Sequence, residues 1–135
     1  MTIALAPVAA LVLLLAGCAS GGASPSPSPT TATAKAYGTV QGLADAFHDA
    51  GAKCTFKQDN QVTVAAESGD CGTDTVLMTF TGESDRDTAV SNLKSLGETM
   101  DVNLLVGPNW ILNSPDSATY KDSLGGTVVT VSADK

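Results

Sequence analysis

Hydrophobic residues from position 40 onward change their spacing several times, and each spacing predicts one element. The first set recurs at i, i+3, i+4 and i+7 and forms one helical face: Val40, Leu43, Ala44 and Phe47. Thr39 or Gly38 would begin this helix. Gly51 is placed to end it in a left-handed conformation.

The segment from Cys54 to Ala66 alternates between apolar and polar residues, which predicts a β-hairpin with a turn at residues 58–61. Its inward residues would be Cys54, Phe56, Val62, Val64 and Ala66. A third strand is predicted over residues 75–81. Its inward residues would be Val76, Met78 and Phe80.

A second helix follows, and Ser84 with Asp87 three residues later resembles a capping box with Asp in place of Glu. Its buried stripe would be Val90, Leu93, Leu96 and Met100. The segment VNLLVGPNWIL then predicts a buried strand that ends in a Gly-Pro turn. Ser114 as N-cap and Pro115 at the first helical position predict a short third helix that ends at Gly125. GTVVTVS supplies the last strand.

The predicted order is therefore α-β-β-β-α-β-α-β. The early hairpin requires antiparallel neighbours, and helices between strands require at least one right-handed crossover. We expect an α+β domain with a mixed, largely antiparallel sheet of about five strands and helices packed on it.

The N-terminal segment has a different pattern, because residues 3–16 contain no charged side chain. As a helix this run would span about 21 Å at 1.5 Å per residue, short of the roughly 30 Å hydrocarbon core of a bilayer. The length fits the apolar region of a signal peptide, although no Lys or Arg precedes it. The alternative is a buried apolar helix with an incidental cysteine.

Leu15, Ala16, Gly17 and Cys18 resemble the lipobox of bacterial lipoproteins. The resemblance implies that residues 1–17 are a signal peptide, that the Cys18 thiol carries a diacylglyceryl group, and that Cys18 becomes the N-terminus. Stable anchoring requires two or more acyl chains. We therefore expect a protein that is lipid-anchored in the cell membrane and faces the extracytoplasmic side.

Residues 18–36 are rich in Ser, Pro, Thr, Gly and Ala and predict a disordered tether. Seventeen such residues reach roughly 50 Å when extended. The remaining residues, 37–135, would form a single globular domain. The chain has 14 acidic and 7 basic residues and a net charge of -7, which argues against nucleic acid as a partner.

Cys54 and Cys71 are the remaining cysteines, and in an oxidising compartment such a pair predicts a disulfide. A metal or redox site is the alternative, but the sequence has no CxxC motif and His48 is its only histidine. We predict no metal ligand and no cofactor.

Catalytic candidates are weak. His48 lies between Asp45 and Asp49 on the first helix, where a helix-edge histidine is the simpler interpretation. The acidic residues of TGESDRD are expected at a helix N-terminus. Acids around Cys71 predict a solvated loop, and these are Glu67, Asp70 and Asp74.

The GPNW turn offers Trp110, with Asn109, as candidate binding residues if the indole is exposed; the alternative is a core residue. This turn and the terminal LGG followed by valines resemble small lipoproteins of actinobacteria and their phages. The resemblance covers most of residues 40–131 and implies no activity and no functional residue beyond Cys18.

Three functions agree with these features. The first is a lipid-anchored binding domain that contacts another envelope or secreted protein. The second is a cell-wall enzyme or small-ligand carrier that uses carboxylates such as Asp45, Glu83 or Asp85. The third is a structural or phage-exclusion lipoprotein.

Overall fold

The computed structural model describes residues 32–133, and the predicted signal peptide and the predicted lipidation site Cys18 lie outside this range. Its helices are α1 (Val40–Asp49), α2 (Glu83–Leu96), a 3₁₀ helix (Ser117–Tyr120) and α3 (Lys121–Leu124). Its strands are β1 (Phe56–Gln58), β2 (Glu67–Cys71), β3 (Val76–Thr79), β4 (Val102–Val106), β5 (Trp110–Asn113) and β6 (Thr127–Val131).

The six strands form one sheet in the order β1-β2-β3-β5-β4-β6, and every hydrogen-bonded pair is antiparallel. The α+β class is confirmed, with one strand more than expected. The extra strand is β5, because the chain turns back at Gly107 and residues 111–113 pair with the strand before it. The segment VNLLVGPNWIL, for which a single strand ending in a Gly-Pro turn is predicted, is therefore a hairpin.

The expected crossovers exist, but neither makes a parallel pair. β3 and β4 both pair with β5 and thus run parallel to each other, joined by α2. β5 and β6 both pair with β4 and are joined by the 3₁₀ helix and α3. A third strand lies between the partners of each crossover, so the sheet is antiparallel rather than mixed. The strands that precede the two connections, β3 and β5, run in opposite directions, and both connections move two positions toward the same edge of the sheet. If both connections are right-handed, they must therefore lie on opposite faces of the sheet.

Each face of the sheet therefore carries its own core. On the α1 face, α1 and α3 pack against Leu77, Leu105 and Leu112. On the α2 face, α2 packs against Met78, Leu104 and Ile111. Because β3 is covered on both faces, residues 77–79 of the strand and Phe80 directly after it are all buried, and the simple alternation predicted for this strand is wrong.

The first helix agrees with its prediction. The Thr39 side chain accepts a hydrogen bond from the Gly42 amide at 3.1 Å and caps the N-terminus. Gly51 follows the C-terminus with φ of 101°, a conformation that favours glycine.

The second strand lies five residues later than predicted, and residues 62–66 form a loop. Two contacts that hydrophobic alternation does not reveal are present in the observed β1–β2 register. The Cys54–Cys71 disulfide ties β2 to the chain just before β1, and Phe56 lies opposite Cys71. A Cβ on Gly69 would lie 2.6 Å from the Phe56 ring, so only glycine fits beneath it. The loop is held by Ser68, whose hydroxyl accepts from the Val62 amide at 3.1 Å.

Two further helix predictions need correction. Gly82, not Ser84, is the N-cap of α2, and no side chain caps it, so the capping box is wrong. In the predicted stripe, Leu96 and Met100 are 48% and 55% exposed, because the helix rests on the sheet through Ala89 and its neighbours.

The third helix begins later than predicted. Ser114 is buried at the end of β5 and precedes the 3₁₀ helix rather than capping an α-helix; only residues 121–124 are α-helical before Gly125.

Candidate binding groove

Trp110 is fully buried and Asn109 is partly buried. None of the Trp110 surface is exposed, and its indole N–H donates to the Lys35 carbonyl oxygen at 2.8 Å. The Asn109 amide group donates to the Tyr37 carbonyl at 2.7 Å, and its oxygen accepts from the Tyr37 amide at 2.9 Å. Trp110 is thus a core residue rather than an exposed binding anchor.

These bonds hold residues 32–37, which we call the strap, against the α1 face. The Ala32 amide donates to the Asp122 carbonyl at 3.0 Å, and a Cβ on Gly125 would overlap the strap backbone. The Tyr37 ring meets the Trp110 indole edge-to-face, with centroids 6.0 Å apart. Residues 32–36, which composition assigns to the tether, are therefore packed on the domain.

The carboxylates considered for catalysis do not converge. Asp45 is exposed and accepts from the Gln41 side chain at 2.8 Å, while His48 is exposed one turn further along α1. Asp85, on α2 across the sheet, accepts from the Thr81 hydroxyl at 2.9 Å. Residues 32–133 contain no group of three or more His, Cys, Asp or Glu side chains placed to hold a metal ion.

Arg86 has a role that sequence analysis missed. Its guanidinium donates to the carbonyls of Gly107 and Pro108 at 2.9 and 2.6 Å and pairs with Asp87 at 2.7 Å. It thereby links the start of α2 to the β4–β5 turn. A single arginine in a sequence gives no signal for such a contact.

Glu67 also differs from the expected solvated acid. Its carboxylate accepts from the Val40 amide at 2.7 Å, at the first residue of α1. A carboxylate is favoured at the positive end of a helix, so this bond joins β2 to α1.

An apolar groove lies between α2 and the sheet, with a cavity volume of about 210 Å³. The loop before β2 forms one wall, α2 forms another, and β3 forms the floor. The lining residues are Val62, Val64, Val76, Met78, Ala89, Asn92, Leu93, Leu96 and Asn113. Val64 and Leu96 at its rim are about half exposed, at 45% and 48%. An apolar concavity with exposed apolar rims is typical of a binding surface.

Two other depressions are more open to solvent. The first, of about 440 Å³, is lined by one side of α2 and the turn after it, from Asp87 to Glu98. Another of about 300 Å³ lies between the strap and α1, where the Lys35 ammonium lies 5.2 Å from the centre of the Tyr37 ring. The α2 groove has walls from several elements and no charged lining residue, and it is the best-formed site in the described part of the chain.

The carboxylate of Asp70 lies beside this groove. Asp70 lies opposite Val76 in the β2–β3 pairing and therefore on the same face of the sheet. Loss of hydration raises the pKa of Asp70, and the charge and hydrogen bond of Asp59 raise it further, against the opposing effect of Lys57. The β2 side of the groove is thus bordered by Asp70, with Asp59 and Lys57 close to it.

No protein-family model matches the chain, and comparisons with curated proteins and with solved structures found no significant match. Within residues 32–133, no helix has both the length and the apolar character needed to cross a membrane.

Proposed function

We propose that the protein is a lipid-anchored, extracytoplasmic binding domain of the bacterial cell envelope. The anchor is the diacylglyceryl group that the lipobox resemblance assigns to Cys18. Residues 19–31 join the anchor to the strap and would extend about 40 Å at 3.1 Å per residue. The domain can therefore reach partners away from the bilayer surface.

The binding surface in this proposal is the α2 groove, and the apolar groove itself is the observation that carries it. Val64 and Leu96 flank the cavity and are about half exposed, so a partner bound in the groove would cover them. Removing such side chains from water stabilises a complex by roughly 25 cal/mol per Å² of apolar surface. The groove has room for one or two apolar side chains rather than for a large ligand.

Charge indicates which kind of molecule supplies those side chains. Asp70 borders the groove with Asp59 and Lys57 close to it, a group in which the acidic residues outnumber the basic one, and the whole chain carries a net charge of -7. An anionic bilayer surface would be repelled by this border, whereas a lysine or arginine would pair with it. The partner is accordingly a polypeptide segment in which an apolar side chain stands next to a basic one.

The position of the strap agrees with a partner located away from the anchoring membrane. The strap crosses the α1 face, beside Trp110 and α3, whereas the groove opens on the α2 face. The tether therefore leaves from the side of the sheet opposite to the groove. Neither face obstructs the other.

Site-specific photo-crosslinking in the producing cells tests this proposal. A photoreactive amino acid replaces Leu96 in the groove of the full chain, and the control places it at Thr119, which is exposed on the 3₁₀ helix. We expect a discrete protein adduct at Leu96 only, mapped to a peptide with a basic residue beside an apolar one. The adduct should decrease at high salt and in an Asp70→Lys variant.

Other outcomes would contradict separate parts of the proposal. Identical adducts at Leu96 and Thr119 would exclude the groove as the binding surface, and a lipid adduct would exclude a polypeptide occupant. A Cys18→Ala chain should leave the membrane fraction. If it stays bound at high salt, the lipid anchor is wrong even where the groove adduct remains.

A further inference from the structure

The two edge strands of the sheet are protected to different degrees. β1 has three residues, carries Lys57 at its centre and is tied at one end by the disulfide. β6 has five residues, Thr-Val-Val-Thr-Val, with no charge, proline or glycine. Natural sheets usually protect an edge with short strands, lysine, proline or a bulge. β1 has two of these features and β6 has none.

The outer side of β6 also offers unpaired backbone groups. All five of its residues are in register with β4, so alternate N–H and C=O groups point away from the sheet. Within residues 32–133, no other strand pairs with that side. Thr127 and Thr130 are exposed, and the valines are half-buried. This edge can receive a further strand without displacing any part of the described domain.

We propose that β6 pairs with β6 of a second copy of this chain, in antiparallel register about a two-fold axis at Val129. This register pairs all five residues: Val129 meets its own copy, Val128 meets Thr130, and Thr127 meets Val131. Every pair joins β-branched side chains, which suit cross-strand contacts. The result is a continuous twelve-stranded antiparallel sheet with an isologous interface.

The position of the strap favours a second copy over a strand from another protein. A two-fold axis perpendicular to the sheet leaves both α1 faces on the same side. Both straps, and hence both tethers, then leave from one side, so two copies anchored in one membrane can pair without either one leaving it. Confinement to a membrane also raises their effective concentration. The preference for a second copy in the same membrane rests on the proposed anchor, whereas the pairing of the two β6 edges does not.

The dimer would also place both α2 grooves on the side opposite to the tethers. β6 and the groove lie on different sides of α2, since Gly97 at its C-terminus packs on Val131 whereas the groove meets β3. Pairing therefore leaves the grooves open and makes the anchored protein bivalent. Because each chain carries a charge of -7, moderate salt should strengthen the dimer by screening repulsion.

A charge-pair experiment on the full chain in detergent micelles tests the proposal. Val129→Lys and Val129→Glu each place two like charges directly opposite across the axis, whereas a mixture of the two variants places opposite charges there. By sedimentation velocity we expect the wild-type chain to be a dimer and each variant alone to dimerise about fivefold more weakly or worse. The mixture should regain the dimer. Matched Thr119→Lys and Thr119→Glu variants, off the edge, should behave as wild type.

The mixture separates lost pairing from damaged folding, because a misfolded chain would not recover on mixing. A wild-type chain that stays monomeric at all salt concentrations would overturn the proposal. A dimer that both Val129 variants retain unchanged would also overturn it, as would a mixture that stays monomeric. None of these results depends on whether the α2 groove binds a partner.

Discussion

The side chain of Asn109 pairs with the main chain of Tyr37 in both directions, accepting from its amide at 2.9 Å and donating to its carbonyl at 2.7 Å. The carboxamide thus acts as a neighbouring strand would. Together with the bond from Trp110 to the Lys35 carbonyl, it fixes the strap across the α1 face. The same turn that creates the β4–β5 hairpin therefore also holds the strap, which directly follows the predicted tether.

Replacing Asn109 with alanine should destabilise the domain by about 1 to 3 kcal/mol, because two main-chain groups of Tyr37 lose their partners. Urea unfolding measures the change. Hydrogen exchange at the Tyr37 amide should become faster in the variant. Asn92→Ala serves as control, since Asn92 is exposed on α2, and should stay within about 0.5 kcal/mol of wild type. Equal effects of the two substitutions would show that the strap contributes little.

Arg86→Met should destabilise the domain by about 1 to 3 kcal/mol, because the Gly107 and Pro108 carbonyls lose a charged donor. Asp87 is the matched control. Its side chain is 66% exposed, and an exposed ion pair contributes little, so Asp87→Ala should change stability by less than about 1 kcal/mol. Thermal unfolding of both variants distinguishes a structural guanidinium from a surface salt bridge. A larger loss for Asp87→Ala would contradict the interpretation.

Helix periodicity predicted α1 well because Thr39, the apolar face and Gly51 all act within one short segment. Strand alternation failed at β2, where the register depends on a disulfide and on a ring lying over Gly69, two contacts that a local sequence pattern does not show. Helix periodicity also assigned Leu96 and Met100 to the core. These residues continue the apolar spacing of α2, but the helix ends at Leu96 and Gly97 is the residue that packs on Val131 of β6, so both side chains stay about half exposed. The misassigned Leu96 belongs to the candidate groove, and the clearest sequence signal for the groove was misread as core.

Gly107 should not tolerate a side chain. Its amide donates to the Trp110 carbonyl at 2.9 Å, and a Cβ there would overlap the indole ring of Trp110. We expect Gly107→Ala to cost about 1 to 3 kcal/mol, as overpacking of a filled core does. Gly38→Ala, at a position with open space, should be neutral or slightly stabilising. Trp110 fluorescence during unfolding measures both variants, and an unaffected Gly107→Ala protein would contradict the close approach.

Loss of the Cys54–Cys71 disulfide should destabilise the domain by roughly 3 kcal/mol, since the bridge closes a loop between cysteines 17 residues apart. The double variant Cys54→Ser/Cys71→Ser gives the value without a reducing agent. Because β1 has only three residues, it should lose protection from hydrogen exchange before the rest of the sheet. Uniform loss of protection would show that β1 is held by its strand pairing alone.

Asp70 should make stability depend on pH in the acid range. Desolvation, reinforced by Asp59, holds the pKa of Asp70 in the folded chain above its ordinary value of 3.8. The folded protein therefore binds this proton more readily than the unfolded chain does, and the resulting stabilisation is complete below pH 3.8. This stabilisation is lost as the pH rises through the pKa of Asp70 in the folded chain.

The Asp70→Asn variant does not show this loss, because its side chain does not ionise and its amide can still donate to Asp59. Its free energy of unfolding should therefore rise relative to that of the wild type as the pH rises through that window. Lys57→Met should widen the window, because Lys57 lowers the same pKa. Urea unfolding of the three proteins at several pH values measures the effect, and parallel profiles would contradict it.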